Sequence, residues 1–177
     1  SSEELLRDIE RRLEEMNRDT ERVVEEIRRR LEELRKRHKE TIDKIREELK
    51  KVEDLVRRRG LDEDTSRELK ELMRRLEEKL KEHHERLREL LERLEKELRE
   101  AKERLDRKTE KIKKDLRKDG ADEDVLRRAK RLIEKYKEDT KRIKEKLEKV
   151  IEDLRKNIED FEEDVRRVLE ELKKRIK

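Results

Sequence analysis

The chain has 177 residues, 63% of them charged and 28% hydrophobic, and its 58 basic and 54 acidic residues leave a net charge of +4. Both signs are mixed at close spacing and the only aromatic residues are Tyr136 and Phe161, so the basic patch and stacking platform of a nucleic-acid binder are missing. Cysteine is absent, which excludes disulfides and thiolate chemistry, and no apolar run is long enough to span a membrane.

A composition this polar ordinarily marks disorder, but the placement of the apolar residues overrules it. From Ile9 onward they recur in steps of 4, 3, 4, 4 and 3. Ile9, Leu13, Met16, Thr20 and Val24 return as Ile27, Leu31, Leu34, His38 and Ile42, then as Ile45, Leu49, Val52 and Val56. The pattern repeats after 18 residues, which is five turns of an ideal helix. Ser2 reads as the N-cap, with Glu3 and Glu4 in the first turn, and no signal-peptide pattern precedes it. Arg57, Arg58 and Arg59 suit the C-terminal end of the dipole. Gly60 then supplies a left-handed residue, Leu61 an apolar contact, and Asp62 a cap for the next helix.

The second helix carries the same stripe: Leu69, Met73, Leu76, Leu80 and His83, then Leu87, Leu91, Leu94, Leu98 and Ala101, then Leu105, Thr109, Ile112 and Leu116. It closes at Arg117-Lys118-Asp119-Gly120, and Ala121-Asp122-Glu123-Asp124 repeats the first turn 60 residues later. In the third helix the stripe includes Ala129, Leu147 and Val165; Leu132, Val150 and Val168; Ile133, Ile151 and Leu169; and Tyr136, Leu154 and Leu172. The spacing predicts helices over about 2–59, 62–118 and 122–177, each ~85 Å long at 1.5 Å per residue. Short turns make neighbouring helices antiparallel.

Register can be read from index sums. Ile9 with Ile112, Met16 with Leu105, Ile27 with Leu94 and Val52 with Leu69 all sum to 121. Leu105 with Tyr136, Leu94 with Leu147, Leu80 with Phe161 and Leu69 with Leu172 all sum to 241. Two constant sums predict an all-α fold: one antiparallel, up-down-up three-helix bundle forming a single domain over 1–177. The 18-residue period matches an unsupercoiled helix, so the bundle is expected to be nearly straight. The hand of the arrangement stays open, as does pairing between swapped chains.

Polar residues interrupt the stripe at a few places. The sums set His38 opposite His83 with Ile158 completing the layer, and His84 opposite Asn157. Buried polar groups cost ~1–3 kcal/mol each when unpaired, so His38, His83, His84, Asn157 and Thr41 are expected to share a hydrogen-bonded network that fixes register. Thr20, Thr140, Thr109, Tyr136 and Thr65 are the other expected polar core positions. A second reading makes the facing histidines a pH switch. Zinc is disfavoured, because Ile158 fills the third core position and adjacent histidines diverge by about 100° around a helix. The only serines, Ser1, Ser2 and Ser66, lie at or near helix ends, and the many carboxylates read as a solvated surface of i,i+4 pairs, as where Glu10 and Glu14 alternate with Arg7 and Arg11. No catalytic, cofactor or metal-binding residue is expected.

Matched helix lengths, repeated Gly-X-Asp-Glu-Asp turns, an 18-residue core period and an almost pure Glu/Lys/Arg/Asp surface together resemble de novo designed, parametrically generated helical bundles. The resemblance covers the whole chain. It implies a hyperstable, soluble, monomeric scaffold with no natural activity and no required partner, cofactor, nucleic acid or membrane. Its localisation is left open beyond production in a cytoplasmic host. The alternatives are a helical interaction or spacer module, or a bundle whose histidine network senses pH. An apolar patch left exposed, with Val23-Val24 the place to look, would favour binding.

Overall fold

Three α-helices follow one another, α1 (Ser2–Arg59), α2 (Glu63–Asp119) and α3 (Glu123–Ile176), and no strand occurs among the described residues. The structure is a computed structural model that describes residues 2–119 and 122–176. The expected roles of Gly120 and Ala121 in the second turn lie outside the described residues, and so does the capping side chain of Ser2. Each helix opens on acidic residues and closes on basic ones, Glu3 and Glu4 against Arg57 to Arg59 in α1, which complements the dipole at both ends.

The first turn is built as its residues dictate. Gly60 has φ of 59°, the left-handed conformation that costs an L side chain about 1 kcal/mol or more. Leu61 packs against the neighbouring core. Asp62 Oδ1 accepts from the Thr65 N–H at 3.1 Å, and the Asp62 carbonyl accepts from the Ser66 N–H at 3.0 Å. These bonds make Asp62 the N-cap, outside the helical residues, so α2 begins at Glu63, one residue later than the pattern predicts. The Asp122 carbonyl accepts from the Leu126 N–H at 3.0 Å in the same way, and α3 begins at Glu123.

The chain forms two compact units, each drawing on all three helices. The first comprises Ser1–Arg30 and Arg93–Val150. Ile9, Leu13 and Met16 of α1 pack there with Ile112 and Leu116 of α2 and with Leu126, Ala129 and Ile133 of α3. The second comprises Leu31–Glu92 and Ile151–Lys177. Its core joins Ile45, Leu49, Val52 and Val56 to Leu69, Met73, Leu76 and Leu80, and both sets to Val165, Leu169 and Leu172.

Both units keep the register expected from the index sums. Ile9 shares a core with Ile112, and Val52 shares one with Leu69 and Leu172. Sums of 121 and 241 require α1 and α3 to run parallel with an offset of 120 residues. In the first unit Arg12 Nη1 reaches Glu134 Oε1 at 3.2 Å, an offset of 122. In the second, the Thr41 hydroxyl donates to Glu162 Oε1 at 2.9 Å, an offset of 121, and Lys173 Nζ donates to Glu48 Oε2 at 2.6 Å, an offset of 125. The fold is an all-α three-helix bundle.

Two details of the surface differ from expectation. The position shared by Leu132, Val150 and Val168 is a flank and not part of the buried stripe: the first two are half-buried and Val168 is 36% exposed. It sits one residue before Ile133, Ile151 and Leu169, which face inward, and a step of about 100° carries it to the rim. The pairing around Glu14 runs to Arg18 at 3.7 Å, while Arg11 takes Asp8 at 2.7 Å. Such exposed pairs add only ~0–1 kcal/mol each.

Candidate functional site

His38 occupies a stripe position of α1 between Leu34 and Ile42, and it is only 4% exposed. It is one of three buried polar residues among those described, with Thr20 and Thr109. On α2, His83 and His84 lie between the buried Leu80 and Leu87, and both are half-buried. The His38 ring centroid is 5.3 Å from that of His83, tilted by 52°, and 5.4 Å from that of His84, stacked within 15°. Beneath them, Phe161 of α3 stacks on His83 at 3.7 Å with the planes 1° apart. Ile158, 2% exposed, occupies α3 at this level.

The pairing of His38 with His83 follows the expected sum of 121, but three other expectations are corrected. Adjacent histidines do not exclude one another from the site. Their side chains straddle the inward direction of α2, and each reaches His38 from its own side. Asn157, expected opposite His84, joins His83 by a side-chain hydrogen bond. It is exposed at the rim, not in the core, since Ile158 beside it holds the inward position.

Of the expected hydrogen-bonded network only the Asn157–His83 pair is present, and around His38 it gives way to ring contacts, tilted toward His83 and stacked on His84. Neither ring nitrogen of His38 has a hydrogen-bond partner, nor does Nδ1 of His83 or His84. His38 and His84 lie nearly face over face, which directs their in-plane nitrogens away from one another. Thr41 does not join the histidines either: it is half-buried and donates to Glu162.

The remaining polar positions are satisfied within their own helices or at the rim. The Thr20 hydroxyl donates to the Met16 carbonyl at 2.8 Å, that of Thr109 to Leu105 at 2.9 Å, and that of Thr140 to Tyr136 at 2.8 Å. Thr140, Tyr136 and Thr65 are half-buried flank residues and not core positions. Thr65 serves through its backbone, as the donor to the Asp62 cap. Tyr136 packs against the first core, and Lys108 Nζ lies over its ring, 5.0 Å from the centroid. Because a threonine bonded to its own i−4 carbonyl contributes no cross-helix contact, Thr109→Val should leave stability within about 0.5 kcal/mol of the parent or raise it. A loss beyond ~1 kcal/mol in urea unfolding would assign the hydroxyl a partner on another helix.

Burial sets the electrostatics of the histidine layer. The His38 pKa is lowered from 6.5 to about 4, first by burial and then by the like charges of His83 and His84. Burial lowers that of His83 as well, opposed by the Asn157 hydrogen bond and reinforced by Arg86 and His84. Among the described residues no group of three or more His, Cys, Asp or Glu side chains is placed to hold a metal ion. Among the described residues no helix is long and apolar enough to cross a membrane. Phe161 lies where its index sum with Leu80 sets it, against that core, and Glu162 is the member that the stripe misses, one residue from the offset of 120 from Thr41. No protein-family model, curated protein or solved structure matches the chain.

Proposed function

We propose that this chain is a structural scaffold: a designed, monomeric three-helix bundle with no natural biochemical activity, and not an enzyme. The observation that carries this reading is the division of each helix into a buried apolar stripe and a charged face paired within itself. On α2, Arg74 bonds Glu71 at 2.7 Å and Glu78 at 3.0 Å. On α3, Arg155 joins both Glu152 and Glu159. Such a surface is soluble, mixed in sign and free of any single-sign field that would steer a charged ligand.

A helical interaction or spacer module would need a contiguous apolar face. The large apolar residues exposed among those described are Leu55 at 38% and Val168 at 36%, one on α1 and one on α3. Val23 is half-buried and Val24 is 5% exposed, so the pair leaves no patch. The test is light scattering joined to a thermal scan. One chain's mass and helical signal persisting above ~90 °C are expected of a hyperstable scaffold. A two-chain mass, or melting at the ~45–65 °C of ordinary domains, would overturn the reading.

A further inference from the structure

We propose that the ring cluster of His38, His83 and His84 is an acid-sensitive latch, which holds the second unit closed only while its imidazoles are neutral. The inference goes beyond the scaffold reading and does not depend on the chain's having been designed. A proton on His38 would place a charge among rings 5.3 and 5.4 Å away, on a side chain 4% exposed whose two nitrogens lack acceptors. Relief requires the ring to reach water, and His38 sits between α1 and α2, so relief means parting them.

The carboxylates around the proton are either engaged with other groups or turned to solvent, as Glu40 of α1 is. From α2, His83 and His84 act on His38 with like charge, Arg86 acts on His83, and Glu82 and Glu85 are exposed. From α3, Phe161 and Ile158 are apolar and Asn157 is neutral. The carboxylates of α3 at this level are Glu159, 3.6 Å from Arg37, Glu162, 3.9 Å from Arg37 and bonded to Thr41, and Asp160, which is exposed. On α1, Arg37 and Lys39 beside His38 are cations turned to solvent.

The direction of the effect follows from the lowered pKa. A base whose pKa falls from 6.5 to about 4 on folding contributes its full stability above pH 6.5 and loses it as pH falls toward 4. Within that window His38 alone weakens folding about tenfold per pH unit, or roughly 30-fold at pH 5. All three histidines of the chain belong to the second unit, and the buried polar residues described in the first, Thr20 and Thr109, do not titrate. Acid should therefore loosen one unit ahead of the other.

The experiment compares the full chain with His38→Leu in guanidinium unfolding at pH 7.5 and pH 5.0, where most carboxylates remain ionised in both. The parent should lose about 30-fold or more in its folding equilibrium, and the variant should lose much less. Hydrogen exchange at the two pH values, corrected for intrinsic rates, should show protection falling in 31–92 and 151–176 before 2–30, 93–119 and 122–150. If His38→Leu does not fold, His83→Leu removes one neighbouring charge and must shrink the parent's loss. An equal acid loss in parent and variant, no loss in the parent, or protection falling equally in both units would each overturn the proposal.

Discussion

Inserting one alanine between Asn17 and Arg18, in the interior of α1, should cost the first unit several kcal/mol. The insertion turns everything before it by about 100° and shifts it by about 1.5 Å. Ile9, Leu13 and Met16, at 1%, 0% and 3% exposure, then leave the core they share with Ile112, Leu116 and Ile133. At ~1.5–3 kcal/mol per buried side chain, the three together are worth about 5–9 kcal/mol, an upper figure because the displaced turns can fray. One glycine inserted between Gly60 and Leu61 is the control. It lengthens a solvent-exposed turn without rotating a stripe, and extra loop length costs only a fraction of a kcal/mol beyond any contact Leu61 loses. Denaturation midpoints of the two variants decide the matter. Equal small shifts would mean that the stripe does not hold the register.

The sensitivity of that register to one residue is also why so much of the fold was legible. A period of 18 residues carried three times along each helix overdetermines which face is buried, and two glycine turns then leave a single pairing offset. The Thr41–Glu162 bond, at an offset of 121, lies within one residue of what two sums of buried positions require. Helix ends were legible to within a residue, because capping by Asp62 depends on which side of the boundary its dihedrals fall.

The histidine layer was legible as a place and not as an arrangement. Index sums locate Cα atoms along an axis, and they brought His38 to His83. They are silent on rotamers, and side-chain direction decided the rest. His83 and His84 could both reach His38 because each needs to swing only about half of a 100° step from the inward direction. Stacking in place of hydrogen bonding likewise depends on χ angles, as does Phe161 settling on His83. Thr20 and Thr109 are buried in the core as their places in the stripe require, while Thr140 sits half-buried on a flank. A hydroxyl in a helix has an acceptor waiting at its own i−4 carbonyl, so Thr20, Thr109 and Thr140 need no partner on a neighbouring helix.

Leu80→Ala should destabilise the second unit by about 2–5 kcal/mol, and Leu55→Ala by less than ~0.5 kcal/mol. The two leucines differ in position and not in chemistry. Leu80 is fully buried between Leu76 and His83 on the inward face of α2, while Leu55 is 38% exposed on α1, beside the buried Val56. Truncating Leu80 removes the transfer energy of its buried carbons and leaves a gap bordered by Phe161 and the rest of that core. How fully the helices close that gap sets the cost within the range. Truncating Leu55 removes atoms that water already reaches, and alanine's helix propensity offsets part of what is lost. Urea unfolding with an unchanged slope would report the difference as stability alone. A Leu80→Ala cost near that of Leu55→Ala would mean that the core beside the histidine stack is loosely packed. The stacked imidazoles would then sit in a site that yields to a proton by local repacking, and acid would not have to part α1 from α2.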